Sequence, residues 1–140
     1  MHGNNTTVNP YLPFAGNCRE AMTFYKEALD GELEVMTFEG APVEIPDEFK
    51  KNVMHASLRF GDALIMASDS QPGQDVTDGN GNHISIACND ESQAEKYFNN
   101  LSAGGTVIMP WDKTFWGAMF GMFVDKFGKN WMVNCQIDES

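Results

Sequence analysis

From Cys18 to Leu29 the apolar positions Ala21, Phe24, Tyr25, Ala28 and Leu29 return every three or four residues, the spacing of one helix face. Asn17 stands where an N-cap belongs, with Glu20 three residues on in the arrangement of a capping box, and Gly31 offers a C-terminal stop. Upstream, Val8 to Phe14 reads as a short strand that Pro10 and Pro13 confine to an edge or bulge. Downstream, Leu33 and Val35 alternate as a strand. Met54, Ala56, Leu58 and Phe60 then alternate with His55, Ser57 and Arg59, giving a strand with two unlike faces. Gly61-Asp62 turns the chain and Ala63 to Ser68 returns it. Residues 39–52, with two prolines and mixed charge, predict an ordered loop over a cavity. Residues 69–81 carry no apolar period and read as a linker.

After that linker the same grammar restarts. His83 to Cys88 predicts a strand, and Asp90 caps a helix through about Leu101 with Ala94, Tyr97, Phe98 and Leu101 as its stripe. Gly104-Gly105 ends that helix, and Thr106 to Met109 forms a strand. Ala118 to Val124 and Asn130 to Gln136 make a hairpin. Phe24–Met36 aligns without a gap on Tyr97–Met109 at an offset of 73 (97 − 24), which also sets Asn17 on Asp90 and Pro10 on His83. The prediction is an α+β fold of two βαβββ modules, about 8–68 and 82–137, within a single domain of residues 1–140. Neither module covers its own sheet, so the pair is expected to curl into a barrel-like mixed sheet around a shared cavity.

Composition narrows the function. At 140 residues, 42% hydrophobic and 11% aromatic, the chain can bury a real core. A net charge of −11 with only nine Lys and Arg argues against nucleic acid as a partner. No apolar run is long enough for a membrane span, and the first residues lack the basic and apolar regions of a secretory signal. Cys18, Cys88 and Cys135 are odd in number and form no CxxC pair, which suits buried thiols in a reduced, cytoplasmic protein.

The segments NPYLPFAGNCREAMTFY, MHASLRFGDALIMASD, GNHISI, MPWDKTFWGAMFG and VDKFGKNWMVN together resemble the PhnB-like branch of the glyoxalase/bleomycin-resistance/extradiol-dioxygenase (vicinal oxygen chelate) superfamily. The likeness spans roughly residues 8–137, and the FWG and D-x-F-G-x-x-W elements mark the branch. It implies the glyoxalase/bleomycin-resistance fold, often a homodimer, and a funnel-shaped site for a small-molecule ligand, but no single reaction. The branch also carries a demethylubiquinone methyltransferase label, for which the sequence offers no glycine-rich strand-to-helix loop.

The resemblance further implies a divalent metal (Zn, Ni, Mn or Fe) held by one ligand from the first and last strand of each module. His83 stands at one such position. Its counterpart at the 73-residue offset is Pro10, and Ile65 or Met66 and Met132 or Val133 occupy the others, none a carboxylate. The expectation is a metal-free binding module. The alternative is a metal-dependent glyoxalase-, lyase- or transferase-type enzyme with relocated ligands His55 and His83 and a carboxylate from Asp69 or Glu44. His83 is open to three readings: a metal ligand, a polar group lining a pocket, or a hydrogen-bonded strand end. The candidate ligand-binding set is His55, Arg59, His83, Trp111, Trp116, Met132 and Asn134. Arg59 suits an anion, and Trp111, Phe115 and Trp116 lie on a loop able to stack on a ligand or close over it. Trp131 alternates to the core, and Cys88 and Cys135 read as packing. Nine methionines suggest an adaptable apolar interior.

Overall fold

The apolar rhythm of residues 18–29 folds into helix α1, Cys18–Leu29, with Ala21, Met22, Tyr25, Ala28 and Leu29 buried along one side. A computed structural model describes residues 6–42, 44–71 and 74–136 of the chain. They form two compact units, Met1–Val76 and Thr77–Ser140. In the first, α1 follows β1 (Tyr11–Phe14) and precedes β2 (Glu32–Thr37), β3 (Val53–Phe60) and β4 (Ala63–Asp69). The sheet order is β1-β4-β3-β2, with β1 parallel to β4 and the other pairs antiparallel. The second unit repeats this plan with β5 (Ile84–Cys88), α2 (Glu91–Ser102), β6 (Thr106–Lys113), β7 (Ala118–Val124) and β8 (Asn130–Gln136), ordered β5-β8-β7-β6. Each unit is thus a βαβββ module, as the sequence predicts. The two four-stranded sheets are open, bounded by β1 and β2 in one and by β5 and β6 in the other, and do not close into a barrel.

One face of each sheet is spent on its helix. Leu12, Phe14, Ala56, Leu58, Ile65 and Ala67 are buried in the first unit, and Ile86, Phe123, Trp131, Val133 and Cys135 in the second. Period-two alternation then sends the intervening residues to the opposite face. Gly121 lets α2 sit close, because a Cβ there would drive into the Phe98 ring.

The start of α1 departs from expectation. Asn17 makes no side-chain cap. Asp69, at the end of β4, takes that role from a distance: Oδ1 accepts from the Gly16 and Cys18 N–H groups, each at 2.9 Å, and Oδ2 accepts from the Val53 N–H at 2.8 Å. In the second unit the prediction holds. Asp90 Oδ1 accepts from the Ser92 and Gln93 N–H groups, at 3.0 and 3.2 Å.

The ungapped repeat is also corrected. The helices do start 73 residues apart (91 − 18). Yet α1 ends in left-handed Asp30 followed by Gly31, whereas α2 ends in extended Ala103, then left-handed Gly104, with Gly105 following it. Gly31 and Gly105, and not Gly104, are the glycines pressed onto the neighbouring strand's carbonyl, that of Arg59 or Val124. The extra residue ahead of β6 is invisible to an alignment in which both frames happen to match glycine. β6 also runs through Pro110, Trp111 and Asp112 to Lys113 by way of two register shifts, so the expected loop shrinks to residues 114–117.

Candidate functional site

The faces turned away from the helices carry the chemistry. In the first unit, Tyr11 pairs with Met66, Met66 with Ser57 and Ser57 with Glu34, so these four share one row across the sheet. The flanking positions add His55 beside Met36 and Arg59 beside Glu32. His55, Ser57 and Arg59 therefore do share the open face, as the alternation predicts. The Tyr11 and His55 rings lie 6.0 Å apart. Arg59 has Glu32 as its register partner, yet among the described residues no ion pair joins them.

The open face of the second unit is softer. Ser85 pairs with Met132, Met132 with Met122 and Met122 with Met109. The next row runs Ala87, Asn134, Phe120 and Asp112. Trp116, 49% exposed on the β6–β7 turn, meets Phe120 edge-on at 6.1 Å and Phe115 at 5.0 Å. Of the predicted set, Met132, Asn134 and Trp116 thus share one face, and exposed His83 stands immediately before β5 in phase with Ser85. Trp111 does not join them. The bulges of β6 turn it to the helix side, 5.6 Å from the Phe98 ring. The open faces also carry Tyr11, Asp112 and Phe120, which the sequence reading did not single out, and Met109 and Met122, which it counted only among the methionines of an adaptable interior; alternation out of phase with buried Phe123 points to Phe120 and Met122.

The positions expected to hold a metal can now be assigned by register. Tyr11 opposite Met66 and Ser85 opposite Met132 are equivalent open-face pairs, so His83 answers to Asn9, and not to Pro10. Ile65 and Val133 are buried under the helices, leaving Met66 and Met132 on the open side. At these positions the first unit offers the Asn9 amide and the Met66 thioether, and the second the His83 imidazole and the Met132 thioether. Such donors fit a borderline divalent cation poorly. Of the two carboxylates considered for the relocated alternative, Asp69 is engaged elsewhere, 5% exposed and bonded to three backbone N–H groups. Glu44 is exposed in the loop before β3. Among the described residues no three His, Cys, Asp or Glu side chains gather as a metal cluster.

The segment that marks the branch in the sequence has a structural role. Asp125 Oδ1 accepts from the Phe127 and Lys129 N–H groups, at 2.8 and 3.0 Å, and Oδ2 from Trp131 Nε1 at 2.7 Å. Lys129 Nζ binds Asp78, and Asn130 Nδ2 donates to the carbonyls of Gly79 and Asn82. This turn ties the approach to His83 onto β8.

Two open-faced βαβββ units define the class: the fold is that of the glyoxalase/bleomycin-resistance/dioxygenase superfamily. A PhnB protein from Bacillus cereus shares it at 24% identity and a TM-score of 0.73, covering 93% of this chain and 99% of that one. Within the class, the chain belongs to the 3-demethylubiquinone-9 3-methyltransferase family, whose model matches residues 6–134. Protein YjdN of Escherichia coli K12 is 31% identical over 138 residues, 91% of this chain and 93% of its own. The crystal structure of PA1353 from Pseudomonas aeruginosa is similar at 42% identity and a TM-score of 0.83, over 96% of this chain and 100% of that one. The connections that lead into the helices here, Ala15-Gly16-Asn17 and Asn89-Asp90, contain one glycine between them.

Proposed function

We propose that this chain binds a small organic molecule on the methionine- and aromatic-lined open face of its second unit, without the divalent metal of the superfamily's enzymes. The observation that carries this reading is the row Met109, Met122, Met132 with Phe120 and Trp116 beside it, apolar surface turned away from the unit's own helix α2. Exposed apolar surface of this kind marks a binding site more often than a neutral one. Thioethers adapt to planar ligands, while Asn134 and Asp112 supply polar contacts for orientation. His83 lies at the rim as a polar group. On the first unit, His55, Tyr11 and Arg59 offer a second, more polar face to the same class of ligand. A reducing, cytoplasmic setting fits three cysteines that form no disulfide among the described residues, and a homodimer is the assembly proposed.

The test uses Nile red as a neutral planar probe. Saturable binding is expected, weakened at least tenfold in Met132→Glu and in Trp116→Ala. Both side chains lie outside the buried core, so circular dichroism should be unchanged. Unaltered affinity in both variants removes the proposed face. Stoichiometric zinc, nickel, manganese or iron in protein purified without chelator, lost in His83→Ala or His55→Ala, removes the metal-free reading.

A further inference from the structure

Two of the three cysteines stand directly opposite one another. Cys88 of β5 and Cys135 of β8 are register partners in a parallel pair. Neighbouring strands lie about 4.8 Å apart, inside the roughly 4.4–6.8 Å that separates the Cα atoms of a disulfide. Their sulfurs share a side as well. The partners two residues earlier, Ile86 and Val133, are both buried beneath α2, so alternation turns Cys88 and Cys135 the same way. Both thiols are free, Cys88 half-exposed and Cys135 buried. Burial pushes both above the ordinary cysteine range, and the charge of Cys135 raises Cys88 further.

We infer that Cys88 and Cys135 are a reversible dithiol–disulfide pair, oxidised by exchange with a small-molecule disulfide. The difference in exposure sets the order of events. The Cys88 thiolate attacks one sulfur of the incoming disulfide, forming a mixed disulfide and expelling one small thiolate. The Cys135 thiol then loses its proton to water, and its sulfur attacks that of Cys88, forming the internal bond and expelling the second thiolate. The two protein thiols are oxidised by two electrons, the small disulfide is reduced by two, and both protons end on the released thiols. The strand spacing exceeds the usual Cβ separation of a disulfide, about 3.8 Å, by roughly 1 Å. β5, the edge strand of its four-stranded sheet, is bonded to β8 alone within that sheet and is the strand that moves in. Closure would pin to β8 the edge strand that carries Ser85 and Ala87 and follows His83. The inference does not depend on any ligand binding there.

The full chain is incubated natively with oxidised glutathione, free thiols are alkylated in denaturant, and peptides are mapped without reduction. A bridge between Cys88 and Cys135, with Cys18 alkylated and the bridge removed by dithiothreitol, is expected. Because both thiols are protonated near neutrality, the initial rate should rise about tenfold from pH 7 to pH 8. Cys135→Ala should accumulate glutathione on Cys88, whereas Cys88→Ser should take up almost none. A persistent mixed disulfide in the unaltered chain overturns the inference. So does a bridge to Cys18, or full alkylation at both positions.

Discussion

The Asp69 carboxylate joins three segments that lie far apart in sequence, and its removal has a calculable cost. Alanine at this position leaves the N–H groups of Gly16, Cys18 and Val53 without their acceptor, two of those bonds being buried and one part-buried. A buried donor left unpaired costs about 1–3 kcal/mol, so two such donors amount to about 4 kcal/mol. Asparagine retains one acceptor oxygen for Gly16 and Cys18 but turns an N–H toward Val53, and should cost about half as much. Against a total stability of about 5–15 kcal/mol, the alanine variant should survive at low temperature but unfold early in urea. With m of about 1–3 kcal/mol/M, the midpoint should fall by about 2 M. Circular dichroism is the right readout. Trp111, Trp116 and Trp131 all lie in the second unit, so tryptophan fluorescence reports on that unit alone. An alanine variant within 1 kcal/mol of the parent chain would refute the reasoning, as would an asparagine variant equally damaged.

Alanine at Gly121 should destabilise the second unit by about 1–3 kcal/mol through overpacking against Phe98; Phe98→Leu in the same chain should recover part of the loss in a urea titration followed by tryptophan fluorescence. The Asp90 carboxyl is held below its ordinary value, first by the Ser92 hydroxyl and then by the Gln93 N–H. Its contribution is therefore complete above the unfolded value and disappears as pH falls through the folded one. Parent chain and Asp90→Ala should differ in Tm at pH 6 and converge near pH 2, and a constant difference across that range would contradict the assignment. Trp116 emission should shift on Nile red binding, and a Trp116 that stays silent in a demonstrated complex would exclude it from the site.

The elements were legible because each writes its period locally. α1 spans the predicted Cys18–Leu29, and β7 and β8 match their predicted ranges. Errors arose where the determinant is distant or consists of a single inserted residue. Asn17 has the local chemistry of a cap, but Asp69, 52 positions later (69 − 17), supplies the acceptor. One additional residue between α2 and β6 and two bulges within β6 change which side chains face outward. That moves Trp111 off the proposed site and leaves Trp116 on it. A difference of one residue ahead of the helix likewise exchanges Pro10 for Asn9 as the counterpart of His83. Alternation identifies two faces reliably but does not register one strand against another; only the pairing does that.

The motif that most clearly marks the branch, Asp125-Lys-Phe-Gly-Lys-Asn-Trp131, should therefore be read as a determinant of fold. Asp125 is 3% exposed and accepts from two backbone N–H groups and from the indole of buried Trp131. Its carboxylate is fully engaged in closing the β7–β8 turn. Asp125→Asn keeps an acceptor for one side of this arrangement and opposes an N–H to the other, which at one lost charge-assisted bond costs about 2 kcal/mol. Binding on the open face, formed by residues of the opposite phase such as Met122, Met132 and Asn134, should be unchanged well below the melting temperature. The decisive comparison pairs this variant with Met132→Glu. The first should lower Tm and preserve probe affinity; the second should preserve Tm and abolish affinity. If Asp125→Asn weakened the probe tenfold in a chain still folded by circular dichroism, the motif would belong to the site, and sharing it would then speak for a shared ligand as well as a shared fold.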